Sequence, residues 1–574
     1  MKKIVKIFLL ASIICFTACD ALDENLNNPV EVSPGNVDIN DLYNSVQISM
    51  AGFVGSTWYY PASISRMIAN TSSYQYENAS SPANFNGIWQ SAYSGLWPDI
   101  NTLVEISKER ELPVYAGTAN ILKAYTMLVL VDLFGDVPYT EATQGISVIS
   151  PSSESGSEVY AAAIALLDES IATLSNAGNS PSPAYDNFYD GDVDKWIAFA
   201  NTLKLRAAVT TRLVNPEASK STINSLIGAE LIDTESEDFQ LSYGTTRENP
   251  NSRHPNYNNS YETSDGAYMS NYYMWLLRAD KLDGDGNPVV DPRIRYYFYR
   301  QVEKADEQDV TVYGCHFSSY PDPDQKPSHY DDVDPRLPYC VAFLGDGYLG
   351  RDHLNSEGIP PDGPIRTIYG LYPFGGLFDE NSYEDQQQSG TTGAKGQGIW
   401  PVMLASYADF LRAEAALTLG TNDDPRAMLQ SGIEKSIAKV QGFASRDGST
   451  FSKQIDQRGE LISVQDAFVP TEEDVAEYVS YVLEKYDAAP TTDAKLDVIM
   501  KEYYIALWGN GVESYNMYRR TGKPANMAPP LETSPGEFMR SFLYPAVNVD
   551  RNGNATQKSI TVPVFWDNES IDLY

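Results

Sequence analysis

Two stretches of the sequence combine aromatic side chains with short amides at a density that suits the recognition of sugars. A sugar presents C–H faces and many hydroxyl groups, so flat rings flanked by hydrogen-bonding side chains bind it well. The stretches lie at about 58–84 and 256–275, and their aromatic residues show no helical spacing. We therefore predict ligand contacts from them, with buried packing as the alternative for each: Trp58, Tyr59, Tyr60, Tyr74, Tyr76, Tyr257, Tyr261, Tyr268, Tyr272 and Trp275.

A third stretch, Gly375 to Gly398, is rich in acidic residues, Asn and Gln. Its polarity favours a solvated loop as the simpler interpretation. The alternative is a rim of the binding site or of a contact with a partner protein.

The sequence offers little for catalysis. Acidic residues number 77, so the composition leaves open the pair of carboxylates that a glycoside hydrolase needs. However, the chain contains no GxSxG motif, and its four His residues form no HExxH. The Asp283–Asn287 turn resembles a calcium loop, but Pro288 and Ile294 occupy the positions where an EF-hand needs Gly and Glu. We predict no enzymatic activity, no metal and no cofactor.

The first residues have the pattern of a lipoprotein signal peptide. A basic start is followed by the apolar run Ile7–Phe16, which is far shorter than the roughly 20 residues that span a bilayer. Small Ala18 then precedes Cys19. We predict cleavage before Cys19 and its acylation by chains such as palmitate, with an ordinary secretory signal as the alternative.

This pattern divides the chain into a signal peptide at 1–18, a flexible lipidated leader at 19–37 and a folded domain at 38–574. The formal net charge of −36 would repel nucleic acid and anionic membrane surfaces, so neither is an expected partner. Membrane attachment is expected through the lipid alone. Two further cysteines, Cys315 and Cys340, can pair as a disulfide in an exported protein or remain thiols.

The elements that must position these stretches are helices, since apolar residues recur at three- and four-residue steps. The longest block, Ala116–Phe134, is apolar throughout and ends at Gly135, which predicts a buried helix. Asp192 is placed to cap another. The helical blocks are Asn84–Glu111, Ala116–Phe134, Ser157–Leu174, Val193–Val214, Glu217–Gly228, Val402–Leu419, Pro425–Phe443, Glu472–Tyr486, Thr492–Trp508 and Glu513–Arg520.

The middle of the chain, about 233–399, has no sustained helical period and holds most of the Pro, Asp and Gly turn signals. A segment this long cannot be a structureless loop in a compact domain, so we expect an irregular insertion that folds on the helices. The paired helices indicate stacked hairpins like those of tetratricopeptide repeats, although the 34-residue period is not strict.

Several segments resemble the SusD/RagB family of outer-membrane nutrient-binding lipoproteins. They occur in the family's order, together with DPR turns at Asp291 and Asp334, and an acidic cluster after Cys19 resembles a surface-export signal. We predict that these helical segments pack in the core and do not contact ligand. Structural roles are likewise predicted for Arg206, Glu414, Arg519 and Arg520. The similar segments are Phe134–Tyr139, Trp196–Arg206, Tyr407–Leu417 and Trp508–Gly522.

The resemblance implies a mainly α fold, a right-handed superhelix of about four TPR-like helix hairpins with large irregular insertions. It implies a cell-surface solute-binding lipoprotein that captures oligosaccharide, or alternatively peptide, and delivers it to a SusC-like TonB-dependent outer-membrane transporter. Less favoured alternatives are a TPR scaffold that binds only proteins and a glycoside hydrolase. The sequence does not identify the ligand.

Overall fold

A computed structural model describes residues 37–264, 266–303, 326–339, 347–356, 365–384, 390–446, 453–455, 461–567, 569 and 571–574. The predicted signal peptide, the leader up to residue 36, Cys19, Cys315 and Cys340 lie outside these residues. The protein is mostly helical, which confirms the predicted fold class.

Four pairs of consecutive helices in the described residues form the frame. The α-helices are α1 Ile39–Ser56, α2 Tyr59–Ile64, α3 Asn86–Gln90, α4 Trp97–Glu109, α5 Pro113–Phe134, α6 Gly156–Ser175, α7 Val193–Thr210, α8 Pro216–Leu226, α9 Pro255–Asn258, α10 Asn271–Arg278, α11 Ile294–Tyr297, α12 Ser328–Val333, α13 Ala405–Leu419, α14 Pro425–Gly442, α15 Val464–Phe468, α16 Glu472–Ala488, α17 Thr492–Ala506, α18 Gly511–Thr521 and α19 Ala546–Val549. The pairs are α4 with α5, α6 with α7, α13 with α14, and α16 with α17. Neighbouring pairs stack on one another through α5 with α6, α7 with α13, and α13 with α17.

Helix α5 is the centre of the first two pairs. Among the described helices it has the length and apolarity to cross a membrane, yet 89% of its most apolar window is buried inside the fold. Gly117 allows this burial, since a Cβ there would lie 2.8 Å from the Leu174 side chain of α6. Apolar side chains therefore surround α5, as its composition predicts, and it ends at Gly135 with φ 78°.

Helix α7 begins at the predicted cap. The Asp192 side chain accepts hydrogen bonds from the backbone N–H groups of Asp194 and Lys195, at 3.1 and 3.3 Å. We expect Asp192→Ala to lower the free energy of unfolding by about 1 kcal/mol, because two N–H groups lose their acceptor. Urea denaturation measures this change. Asp194→Ala, which removes no cap bond, should cost less, and equal losses would contradict the assignment of the cap.

Two networks of buried ions tie the frame together. Arg206 of α7 donates to Glu513 of α18 at 2.7 Å and pairs with Asp132 of α5, and all three side chains are almost completely buried. Asp132 also accepts from Asn516 and from the indole of Trp566. The family-like segments are therefore core, as expected, and hold α5, α7 and α18 at fixed positions.

The second network centres on Glu414 of α13. Its carboxylate accepts from Arg520 at 2.8 Å and from Arg212 at 2.9 Å, and its side chain is fully buried. The structural roles predicted for Arg206, Glu414, Arg519 and Arg520 are confirmed by this burial. Four tryptophans of the helical segments are buried as well, namely Trp89, Trp97, Trp196 and Trp508.

The irregular segment leaves the frame after α8 and returns before α13. The strands are β1 Phe239–Ser242, β2 Phe298–Tyr299, β3 Ile368–Tyr369, β4 Ile399–Met403, β5 Lys453–Ile455 and β6 Leu461–Ser463. Strands β1 and β4 pair antiparallel, with Leu241 opposite Trp400, so the two ends of the insertion meet. Within it, β2 pairs with β3.

Candidate functional site

An aromatic cluster joins the insertion to the frame. Trp508, two residues after the end of α17, lies at the centre of this cluster and is fully buried. Its ring centroid is 5.1 Å from that of Tyr273, 5.2 Å from Phe298 and 6.0 Å from Tyr369, all of which belong to the insertion. Such ring contacts add to the area that each side chain buries, so the insertion is held firmly against the helices.

Trp58, one of the predicted ligand residues, belongs to this cluster. Its ring centroid lies 5.7 Å from Phe374, 5.9 Å from Trp400 and 6.0 Å from Trp508, and the residue is only 4% exposed. The contacts place Trp58 between α2 and the insertion, where it faces other side chains.

Tyr257 and Tyr261 are also interior. They stack at 4.6 Å with an interplanar angle of 13°, and both are fully buried. The Tyr257 hydroxyl donates to the Thr392 carbonyl at 2.8 Å, and the Tyr261 hydroxyl donates to the Tyr369 carbonyl at 2.6 Å. Burial raises the pKa of Tyr257 to about 12. Their hydroxyls fasten the 256–261 turn to segments more than 100 residues away.

Three more of the predicted residues are buried. The Tyr76 hydroxyl accepts from Arg66 at 2.9 Å, and Tyr76 is fully enclosed. Tyr272 and Trp275 lie on α10, a helix within the stretch that showed no helical spacing, and they are 2% and 3% exposed. Six of the ten predicted side chains are thus buried in this structure.

Tyr59 is the most exposed of the other four, at 39%. Its ring meets the half-buried Tyr60 edge-on, with centroids 5.2 Å apart. Tyr60 rests in turn on Phe85 at 5.1 Å. Burial raises the pKa of Tyr60, and a hydrogen bond with the side chain of Asn84 offsets part of the rise. An exposed ring, a supporting ring and an exposed amide therefore come together, and we call Tyr59, Tyr60 and Asn84 the aromatic edge.

The structure brings the two predicted stretches into contact. The Ala69 backbone N–H donates to the Tyr268 carbonyl at 2.9 Å, and Ile68 pairs with Met269. Half-buried Tyr268 lies under the guanidinium of Arg366, 3.8 Å from its ring centroid. Tyr74, also half-buried, packs on the small apolar cluster that contains Leu349.

Some side chains of this region were not predicted from the sequence. Arg351 and Arg366 both lie over the Tyr268 ring, at 4.8 and 3.8 Å, but they come from a different part of the insertion with no motif to connect them. Tyr185 is 65% exposed, between α6 and α7. Tyr185 lies in an ordinary turn sequence, which gave no indication of ligand binding.

The polar stretch after Gly375 is only partly a solvated loop. Asp379 is fully buried and pairs with Arg300 at 2.6 Å. The solvated-loop interpretation is therefore wrong for this residue, because an arginine elsewhere in the insertion neutralises it. At Asp283, the carboxylate accepts from the backbone N–H groups of Asp285 and Asn287, which is an ordinary Gly/Asp turn. The described residues contain no group of three or more His, Cys, Asp or Glu arranged to hold a metal.

His254 is enclosed by the aromatic cluster. Its ring centroid is 4.3 Å from that of Trp400, 4.9 Å from Phe374 and 4.8 Å from Tyr243. Nδ1 accepts the Asn256 backbone N–H at 3.1 Å, so the neutral ring carries its proton on Nε2. Burial lowers the pKa of His254 well below its usual range, and burial together with Arg66 does the same for His353.

These two histidines predict a loss of stability in acid. A folded-state pKa below the unfolded value means that the unfolded chain binds more protons, so stability is complete above about pH 6.5 and falls as the pH drops. Each histidine contributes a slope of at most about 1.4 kcal/mol per pH unit until its folded-state pKa is reached. Urea denaturation at a series of pH values measures the slope. His254→Phe should reduce it between pH 6.5 and 5, and an unchanged slope would contradict the role of His254.

Comparison with known proteins assigns the family. A family profile described as "Starch-binding associating with outer membrane" (SusD-like_2) matches residues 29–335, and one described as "Susd and RagB outer membrane lipoprotein" matches residues 376–570. The chain belongs to the SusD/RagB family. The two matches cover both ends of the frame and most of the insertion.

Solved structures of the SusD/RagB family share the fold. A SusD/RagB family protein from Bacteroides thetaiotaomicron superposes with a TM-score of 0.63 at 20% identity, over 92% of this chain and 99% of that one. A chitin-binding protein gives 0.63 at 17% identity, over 93% and 100%. A chitin-binding SusD homologue from Flavobacterium johnsoniae gives 0.56 at 20% identity, over 92% and 97%. Identities this low establish the shared fold and not a shared ligand. A comparison with curated proteins gives no match.

Proposed function

We propose that this SusD/RagB protein is a cell-surface carbohydrate-binding lipoprotein. It captures oligosaccharide at the aromatic edge and passes it to a SusC-like TonB-dependent transporter in the outer membrane. In this proposal the chain has a signal peptide at 1–18, a lipidated leader at 19–37 and a binding domain at 38–574. The binding domain carries an insertion at about 233–399.

The observation that carries the proposal is the placement of Tyr59. Its exposed ring stands at the start of α2, directly after Trp58, which is locked in the aromatic cluster. A ring held by a rigid neighbour loses little conformational entropy when a sugar stacks on it. Asn84 adds amide N–H donors at the same place, while its carboxamide oxygen accepts from Ser81. Tyr74 and Tyr268 are also half-buried, and Tyr268 lies where the two stretches meet.

One pair of neighbouring carboxylates is held in structural contacts. Asp291 and Glu502 meet at the Tyr478 hydroxyl, 2.6 and 2.9 Å away, but both are almost completely buried. Arg293 donates to both, so each of these two carboxylates is held in a buried ion pair. A glycoside hydrolase needs its two carboxylates on either side of a bound sugar.

Chitin oligosaccharides are the first ligands to test, because two of the similar structures are described as chitin-binding. A screen on the purified protein should include neutral plant and host glycans and a pool of peptides. Binding of peptides alone would replace oligosaccharide by the alternative ligand class. Binding of no small ligand would favour a scaffold that contacts only proteins.

Substitution of Tyr59 tests the aromatic edge. We expect Tyr59→Ala to weaken oligosaccharide affinity by about tenfold, the equivalent of about 1.4 kcal/mol for one lost stacking contact. Tyr185→Ala is the matched control, since it removes an exposed tyrosine far along the chain from the edge. Titration calorimetry compares the two variants with the unmodified protein. Equal affinity for all three would remove Tyr59 from the site.

A further inference from the structure

A charged cavity of about 180 Å³ shares no lining residue with the aromatic edge. It is bounded by α16 and α17 and by the segment that follows α10. Four basic side chains and three acidic ones reach it, in a chain whose formal net charge is −36. The contacts that its charged groups already make indicate what it can bind.

Two of the three carboxylates of this cavity are engaged by neighbouring groups. Glu502 accepts from the Tyr478 hydroxyl and from Arg293, both at 2.9 Å. Asp280 accepts from Asn526 at 3.0 Å and pairs with Lys501 at 3.3 Å.

The third carboxylate, Asp497, is similarly engaged. It accepts the Ala525 backbone N–H at 2.6 Å and pairs with Lys501 at 3.7 Å. The guanidinium of Arg336 is occupied as well, by Asp334 at 2.7 Å and the Asp280 carbonyl at 2.6 Å. These groups therefore satisfy one another.

Two lysines in the cavity keep unused donors. Lys281 is only 9% exposed and lies 3.1 Å from a Glu502 oxygen, yet its Nζ makes no hydrogen bond of acceptable geometry. Lys485 is exposed, and its ammonium lies 4.8 Å from the Tyr481 ring centroid, with no carboxylate partner in the described part of the chain. Each ammonium has three donors. These two ammonium groups therefore keep donors for an additional acceptor.

We propose that this cavity binds a small oxyanion, a carboxylate or sulfate group, through the ammonium groups of Lys281 and Lys485. Lys281 lies beside Glu502 but keeps unused donors, and an anionic oxygen accepts from such donors in a strong charge-assisted bond. The cavity has room for an ion of several non-hydrogen atoms. The proposal goes beyond capture of neutral oligosaccharide, since it assigns a second site for a negatively charged group.

Titration calorimetry of the purified protein with sodium sulfate and with sodium glucuronate tests this site. Sodium chloride keeps the ionic strength constant, and neutral glucose is the reference. We expect saturable binding of at least one anion, and the preferred anion shows whether the natural group is a sulfate or a sugar carboxylate. Lys281→Met should weaken that binding by about tenfold or more, and Lys485→Gln by several-fold.

Lys204→Gln is the control, because it removes a lysine paired with Asp168 on the outer face of α6 and α7. It should bind the anion as the unmodified protein does. Lys485 is exposed, so its variant tests the site even where Lys281→Met fails to fold. The proposal is overturned when neither anion binds saturably, or when Lys485→Gln binds with unchanged affinity. Retention of neutral oligosaccharide binding by both lysine variants separates this outcome from a failure of the aromatic edge.

Discussion

Arg206→Met lowers the free energy of unfolding by about 3–5 kcal/mol, the largest stability change that we expect from a single substitution in the frame. Methionine fills much of the same space but leaves the carboxylates of Asp132 and Glu513 buried without their counter-ion. Asn516 and Trp566 still donate to Asp132, but neutral donors do not replace a charge. Urea denaturation measures the loss.

The matched control for this prediction lies two residues away on the same helix. Lys204 pairs with Asp168 at 2.6 Å, but the Asp168 side chain is 56% exposed. Lys204→Met should therefore change stability by about 1 kcal/mol or less, as is usual for surface ion pairs. Similar effects of the two substitutions would contradict the buried-network assignment. Glu513→Gln in the Arg206→Met background should recover part of the loss, because it removes one unpaired charge.

Cys19→Ala abolishes membrane association, the largest effect that we expect on localisation. Each buried CH₂ of an acyl chain contributes about 0.8 kcal/mol, so two or three chains hold a protein on a membrane. The acidic chain has no attraction of its own to an anionic surface. Fractionation of cells that lack the transporter measures the anchor directly.

Cys315→Ala is the control for the anchor, since it removes a cysteine that follows the signal sequence by almost 300 residues. It should leave the protein in the membrane fraction. Recovery of Cys19→Ala protein with outer membranes in the absence of the transporter would contradict lipid attachment at Cys19.

The helices of the frame could be predicted because their signals are local. Asp192 caps α7, Gly420 ends α13 in the left-handed conformation, and apolar residues recur on one face between such signals. For the ion networks, only the burial of the charged residues could be predicted. The sequence indicated that Arg206 and Glu414 would be enclosed, but their partners lie up to 307 residues away and carry no pattern.

Helix α1, Ile39–Ser56, was not predicted. Its sequence contains Gly52, Gly55 and several Ser, Asn and Val residues, which have low helix propensity. The helix forms because Tyr43, Met50 and other apolar side chains are buried against the frame. Tertiary packing thus overrides a weak local preference.

The aromatic stretches were only partly informative, for a different reason. Tyrosine suits a solvent-exposed platform and an interior position equally well, provided that its hydroxyl finds a partner. Tyr257 and Tyr261 find carbonyl groups of Thr392 and Tyr369, and the sequence does not reveal such distant acceptors. For Tyr59, no such acceptor is found among the described residues, and 39% of its surface stays exposed.

Titration calorimetry of the purified protein with chitin oligosaccharides and other neutral glycans, with chromatography of the recovered glycan, is the most direct test of the proposed function. We predict saturable binding of an oligosaccharide with a Kd in the micromolar to millimolar range, weakened by Tyr59→Ala, and recovery of the glycan intact. Shortened glycan products, or no binding of any oligosaccharide, would contradict it.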